Sequence, residues 1–261
     1  MLLRKAYVNT PQGQIHVRFA GEQSRQPPLL LLHQTPSSSI MFETMMSLLS
    51  PNFWVLAPDL PGFGNSDCES GSFTVAGWAR GILAMLDGLD VSHSYLFGHH
   101  TGASVAAQMA YEQPTRFPKI VLSGPPLISE EVKAKLWSTL PQMTLDESGS
   151  VLGETWQRIR QKDKGASLAL SLRETLLSLG LNGRYHAAYQ AVFDHDFAHQ
   201  IRTLTCPILL VAGEHDSLRH SLEPTHALAS NSAIKILPNA GTYVCDKQPD
   251  IMTTLIHEFF R

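Results

Sequence analysis

Ser94-Tyr95-Leu96-Phe97-Gly98-His99-His100-Thr101-Gly102-Ala103 decides how the rest of the chain is read. A short apolar run of strand type enters Gly-His-His-Thr-Gly and leaves into small residues, Ala103, Val105, Ala106, Ala107 and Ala110. That order predicts a buried strand, a sharp turn and a closely packed helix. The turn would crowd its own backbone against the neighbouring strand, so a Cβ at Gly98 or Gly102 would clash. The side chain lifted at the middle of the turn is His100.

Strand and helix alternate on both sides of this stretch. Upstream, residues 4–20 read as a hairpin around Pro11-Gln12-Gly13, and Leu29–Leu32 as a strand buried on both faces. Met41–Leu49 has helical character, Phe53–Ala57 is a strand, and Thr74–Leu86 carries Val75, Trp78, Ile82 and Leu86 at helical spacing. Downstream, 119–124 is a strand closed by Pro125-Pro126. Alternation then lapses. Residues 127–197 read as helices only, from Val132/Leu136/Leu140, a Thr144-x-x-Glu147 capping signature, Leu168–Leu179 and Tyr185/Ala188/Tyr189/Val192. It resumes with Pro207–Ala212, Ser221–Ser230, Ala233–Leu237 and Gln248–Phe260. The expected fold is α/β, a mostly parallel sheet flanked by helices, with a core of 1–126 and 198–261 and a helical insertion at 127–197. In such sheets the site lies at the carboxyl ends of the strands.

Composition narrows the function. The chain has 261 residues, 43% hydrophobic and 16% charged, with a formal charge of −3. Such a balance lacks the basic footprint of a nucleic-acid or anionic-membrane binder. The longest apolar runs are too short to span a bilayer, and the N-terminal stretch carries no apolar core of a secretory signal. Three scattered cysteines, Cys68, Cys206 and Cys245, fit a reduced compartment, so a cytoplasmic protein is expected.

Four stretches resemble the α/β-hydrolase superfamily, each at the end of an expected strand. His33-Gln34-Thr35-Pro36 resembles its oxyanion loop, and Asp59-Leu60-Pro61-Gly62-Phe63-Gly64-Asn65-Ser66 its D-x-x-G-x-G-x-S loop. Gly98–Gly102 resembles the nucleophile elbow, and Gly213-Glu214-His215-Asp216 the loop bearing the acid. The resemblance makes 127–197 a cap and Asp216 the acid. It also exposes two departures. His100 stands where the family has its serine, and Asn239-Ala240-Gly241-Thr242 ends in threonine where the family has its base histidine. Thr242 cannot serve as that base, because its hydroxyl does not titrate near neutral pH.

The imidazole is therefore moved from the last loop to the turn, while the acid and both turn glycines persist. A ring at His100 is longer than a serine side chain and is expected to reach Asp216 directly, through Thr242, or through water. The resemblance assigns oxyanion donors to the backbone N–H groups of Thr35 and Thr101. His33 is expected to hold its loop or to touch substrate, His99 to pack under the turn, and Asp59 to fix its own loop by bonding amides.

Three functions are open. The first is a small-molecule hydrolase acting on an ester, lactone, thioester or carbonyl-adjacent C–C bond through His100 and Asp216. The second is a cofactor-free lyase or isomerase with His100 as general base. The third is a ligand-binding relative without catalysis. No cofactor is expected. A metal held by His33, His100 and Asp216 is not expected either, since no pair has a familiar short ligand spacing. Trp137, Met143, Trp156, Tyr185, Tyr189 and Phe193 are candidates to line an apolar pocket. Arg184, His186 and His195 are candidates to receive a carboxylate.

Overall fold

The structure is a computed structural model, and it describes residues 2–24, 26–68 and 73–261. Eight strands form one sheet in the order β1-β2-β4-β3-β5-β6-β7-β8. β1 (Arg4–Thr10) and β2 (Gly13–Ala20) make the antiparallel hairpin read from the sequence, and β2 also pairs antiparallel with β4 (Val55–Pro58). From β4 onward every pairing is parallel: β3 (Leu29–Leu32), β5 (Tyr95–His99), β6 (Ile120–Ser123), β7 (Ile208–Gly213) and β8 (Ser232–Leu237).

Strand periodicity divides the core into two layers. Leu30 and Leu32 of β3 face a cluster with Trp78, Ile82, Val105 and Ala106 from α2 (Val75–Gly88) and α3 (Thr101–Glu112). Leu29 and Leu31 face the opposite cluster, with Met45, Leu49, Met252 and Ile256 from α1 (Glu43–Leu49) and α11 (Pro249–Phe260). All four leucines are wholly buried, each contributing about 1.5–3 kcal/mol by leaving water. The outer strands β1 and β8 are largely exposed and carry Arg4, Lys5 and Lys235, charges that keep a bare edge from pairing with another chain.

Between β6 and β7 the described residues form helices only: α4 (Glu130–Ser138), α5 (Ser150–Lys162), α6 (Leu168–Leu181), α7 (Tyr185–Phe193) and α8 (Phe197–Thr203). The Thr144-x-x-Glu147 signature does not start a helix there. Residues 141–149 form a loop instead, and α5 begins only after Gly149, whose φ of 67° is left-handed. Asp146 explains the difference: its carboxylate accepts from Ser148 Oγ at 2.6 Å, Ser150 Oγ at 2.7 Å and Ser150 N at 3.3 Å. The local side-chain bonds compete successfully with an earlier first turn. Beyond β7 come α9 (Leu222–Leu228), β8 and a one-turn α10 (Val244–Lys247).

Candidate functional site

The turn between β5 and α3 forces His100 to φ 50° and ψ −111°. For a residue with a Cβ that conformation costs about 1–3 kcal/mol. It is held from both sides: the His100 N–H donates to Ser123 O of β6 at 2.8 Å, and the His100 carbonyl accepts from Ala103 N at 2.8 Å. The flanking glycines are needed for close approach. A Cβ on Gly98 would sit 2.6 Å from Ala103 N, and one on Gly102 would sit 3.0 Å from His33 O.

The raised ring meets the acid. His100 Nε2 lies 2.9 Å from Asp216 Oδ2 and 3.0 Å from Oδ1. Asp216 sits in a tight turn after β7, with its N–H on Gly213 O at 3.1 Å and Oδ1 accepting from Leu218 N at 2.8 Å. Burial alone would raise this carboxyl, but His100 beside it, the His99 ring and the Leu218 amide hold it down at about 2. An ionised carboxylate only accepts, so Nε2 carries the proton of this bond, and in the neutral ring Nδ1 is the atom that holds the lone pair. Nδ1 has no hydrogen bond among the described residues. Room for the ring comes from Gly124 (φ 58°), where a Cβ would stand 2.6 Å from His100 Nε2.

His99 lies directly beneath and is wholly buried. Its Nε2 donates to Thr242 O at 2.9 Å, and its Nδ1 lies 3.0 Å from Ser123 Oγ. Desolvation, aided by His100, pushes its pKa down to about 3, so it is a neutral tether between the turn and the loop after β8. His99, His100 and Asp216 present ligand atoms within 4.8 Å of one another. A metal bound through the Nε2 atoms would displace the Thr242 carbonyl from His99 and Asp216 from His100.

Above the ring lies a cavity of about 420 Å³, within the range of small-molecule sites. Its floor comes from the strand ends: Thr35, His100, Thr101, His215 and Thr242. Its roof comes from the inserted helices, with Leu136, Arg158, Lys162, Tyr189 and Phe193. The Thr35 N–H, half of the expected oxyanion pair, donates to Thr101 Oγ1 at 3.2 Å. His33 does not line the cavity. Its Nδ1 donates to Gln34 O at 2.8 Å and its Nε2 accepts from Leu60 N at 2.9 Å, so of its two expected roles these bonds support holding the loop. Asp59 fixes the neighbouring loop through Ser39 N at 2.7 Å and Asn65 N at 2.9 Å.

The structure thus brings together His100, Asp216, Thr35, Thr101 and Thr242 and leaves His33 below them. Of the six apolar candidates only Tyr189 and Phe193 reach the lining, and Trp137 is substantially exposed. Arg184, His186 and His195 are not in the lining either. The cations that are, Arg158 and Lys162, escaped the sequence reading. Their only signal is the Thr155-x-x-Arg158-x-x-x-Lys162 spacing, which sets all three on one face of α5.

The model of the alpha/beta hydrolase fold family matches residues 27–249. The chain belongs to that family. An uncharacterised protein of Mycobacterium tuberculosis (strain H37Rv) is 32% identical over 106 residues, 41% of this chain and 31% of that protein, so the match spans about a third of that relative's length. A 2-(acetamidomethylene)succinate hydrolase of Mesorhizobium japonicum is 26% identical over 263 residues, covering 91% of this chain and 89% of the relative. The carboxylesterase CesB of Bacillus subtilis superposes with a TM-score of 0.82 at 21% identity, over 99% of this chain and 92% of that one. No helix of this alpha/beta hydrolase, among the described residues, is long and apolar enough to cross a membrane.

Proposed function

We propose that this chain is a small-molecule hydrolase that cleaves an ester, lactone, thioester or carbonyl-adjacent C–C bond with His100 as general base and Asp216 as its partner. The observation that carries the reading is the 2.9 Å bond between His100 Nε2 and Asp216 Oδ2 under a cavity, with Nδ1 left unbonded. Residues 127–197 act as the cap, and the turn at His100 is the elbow with an imidazole in the serine's place. Relatives named as a hydrolase and as a carboxylesterase support the reaction class.

The mechanism follows from the tautomer. Asp216 fixes the proton on Nε2, so Nδ1 takes a proton from a water as its oxygen attacks the substrate carbonyl. The oxyanion formed is met by the N–H groups of Thr35 and Thr101. Because the Thr35 N–H bonds to Thr101 Oγ1, the substrate oxygen must exchange for that hydroxyl. Collapse of the tetrahedral species breaks the bond to the leaving group, which recovers the proton from Nδ1. Water is consumed: an ester or thioester gives an acid and an alcohol or thiol, a lactone gives a single hydroxy acid, and a carbonyl-adjacent C–C bond gives an acid and a carbon fragment that takes up the proton from Nδ1.

The test is a panel of activated esters, lactones and thioesters. Turnover is expected, lost in His100→Ala and kept in Ser104→Ala, whose hydroxyl is buried in α3. A serine-directed fluorophosphonate should leave the protein unlabelled. Ser217 also lines the cavity, so labelling of Ser217 with loss of turnover in Ser217→Ala would replace this mechanism with a serine one.

A base over oxyanion donors also suits proton removal next to a carbonyl, and the unbonded Nδ1 favours that as a second reading. Deuterium exchange from solvent into the α-carbon of a ketone, without hydrolysis of any ester, would select the lyase or isomerase instead.

A further inference from the structure

Two cations converge on the cavity roof from one face of α5, and neither has a carboxylate partner among the described residues. Arg158 is half-buried. Its Nη1 donates to Thr139 O at 2.6 Å, and its Nε is buried with no partner. Lys162, one turn further along the same face, also lines the cavity. The nearby acids are already engaged: Glu174 with Arg173 at 2.7 Å, and Asp163 with Lys247 at 2.7 Å. Between the two cations stands the Tyr189 phenol. Burial alone would raise its pKa, yet Lys162 and Arg158 bring it below its ordinary value.

Unpaired charge held against the apolar side chains of Leu136, Phe193 and Val192 is costly. Such an arrangement becomes favourable when a ligand brings the missing negative charge. The guanidinium narrows the choice of anion. With Nη1 spent on Thr139, Nε buried and the phenols of Tyr189 and Tyr185 beside the guanidinium, little of its planar fork is left for a ligand. What is left suits one in-plane oxygen of a carboxylate better than a tetrahedral anion. Lys162, on a flexible stem, adds a point charge to the same group.

We infer that Arg158 and Lys162, flanked by Tyr189, form a carboxylate-binding subsite in the roof, so that the substrate is a small acyl compound bearing a carboxylate remote from its scissile carbonyl. This deepens the hydrolase reading and rests on it. The carboxylate anchors the far end against α5 while the carbonyl lies over His100 on the floor. The apolar side chains between the two ends accept a short hydrocarbon spacer.

Two measurements test the subsite separately from the chemistry. The first is calorimetric binding of free adipate to the wild-type chain, to Arg158→Gln and to Lys162→Met. The wild type should bind, and each variant should bind about tenfold or more weakly, the loss expected for a hydrogen bond to a charged group. Lys162→Met leaves the Arg158 bond to Thr139 in place, so it answers the question even if Arg158→Gln folds poorly. The second compares mono-4-nitrophenyl adipate with its methyl-capped neutral twin. The wild type should prefer the acid, and the ratio of the two kcat/KM values should fall about tenfold in Lys162→Met.

Adipate that binds all three proteins alike, or none, overturns the subsite. So does a neutral twin turned over as well as the acid, or inorganic phosphate bound as tightly as adipate. If adipate binding is lost in Lys162→Met while no ester is turned over by any form, the subsite stands and the hydrolase reading falls.

Discussion

Two histidine–aspartate clusters sit at the strand ends of this molecule, and they differ in what they leave unbonded. In the first, Asp59 accepts from His16 Nδ1 at 2.9 Å, Ser39 Oγ at 2.5 Å, Ser39 N at 2.7 Å and Asn65 N at 2.9 Å, while both nitrogens of His33 are spent on backbone. Asp59 and His33 are 1% and 0% exposed. In the second, Asp216 is equally buried, but the His100 ring keeps one nitrogen free and faces a cavity. Similar side chains, similar depth and similar distances serve rigidity in one place and offer reactivity in the other. What separates them is a single ring nitrogen, His100 Nδ1, without a hydrogen-bond partner among the described residues.

The largest expected effect concerns the buried histidines under both clusters. His99 is depressed to about 3, so between there and its unfolded value near 6.5 the unfolded chain takes up a proton that the native ring refuses. Stability should be fully present above about pH 6.5. It should fall by about 1.4 kcal/mol per pH unit on acidification, with burial of His33 acting in the same direction. Asp216, held near 2, adds a loss as pH falls below about 4. Urea midpoints measured from pH 7 to pH 3 check this, and His99→Gln should flatten the upper part of the curve.

Removing Asp59 should break the first cluster alone. Asp59→Ala leaves His16 and two backbone amides without a buried acceptor, and a loss of about 3–5 kcal/mol in unfolding free energy is expected. Chemical denaturation reads it directly. The mirror-image experiment is His100→Ala, in which catalysis should drop by about 10²–10⁴ while unfolding free energy falls by less than in Asp59→Ala. Alanine keeps the Cβ and so the strained φ, but Asp216 retains its bond from Leu218 N and the emptied ring space opens it to the cavity. Equal damage to stability from both changes would erase the distinction between the clusters.

A smaller effect is expected at Gly124. Alanine there meets the His100 ring and also suffers a positive φ, so Gly124→Ala should cost about 1–3 kcal/mol and displace the ring from Asp216. Loss of turnover without loss of the folded baseline would locate the damage at that ring. The imidazole signals should shift in an NMR spectrum of the same variant.

The architecture was readable because it depends on periodicity and punctuation. Four consecutive leucines at 29–32, the mostly small residues after Gly102 and the prolines at the ends of β4, β6 and β8 (Pro58, Pro125, Pro238) leave little freedom in how the sheet is built. The His100–Asp216 pair was reachable too, since strand ends in a parallel sheet converge whatever the loops contain. The roof was not. Whether Trp137 or Tyr189 faces the cavity depends on how α4, α5 and α7 rotate against one another, and helical spacing leaves that rotation open. Asp146 moved the start of α5 past Thr144 by side-chain bonds that a capping pattern does not weigh. The role of His99 was hidden for a different reason: its partner, the Thr242 carbonyl, is backbone, so no side-chain type at 242 announces it.

The missing Cβ at Gly124 also bears on how this site relates to its serine-using cousins. A lone His100→Ser exchange would leave a hollow beside Gly124 and an acid with nothing to orient, so it should yield a silent protein. Pairing it with Thr242→His restores a ring opposite the acid, and weak esterase activity is the expected return. The route between the two chemistries therefore crosses an inactive intermediate, and the hollow at Gly124 marks where the crossing is deepest.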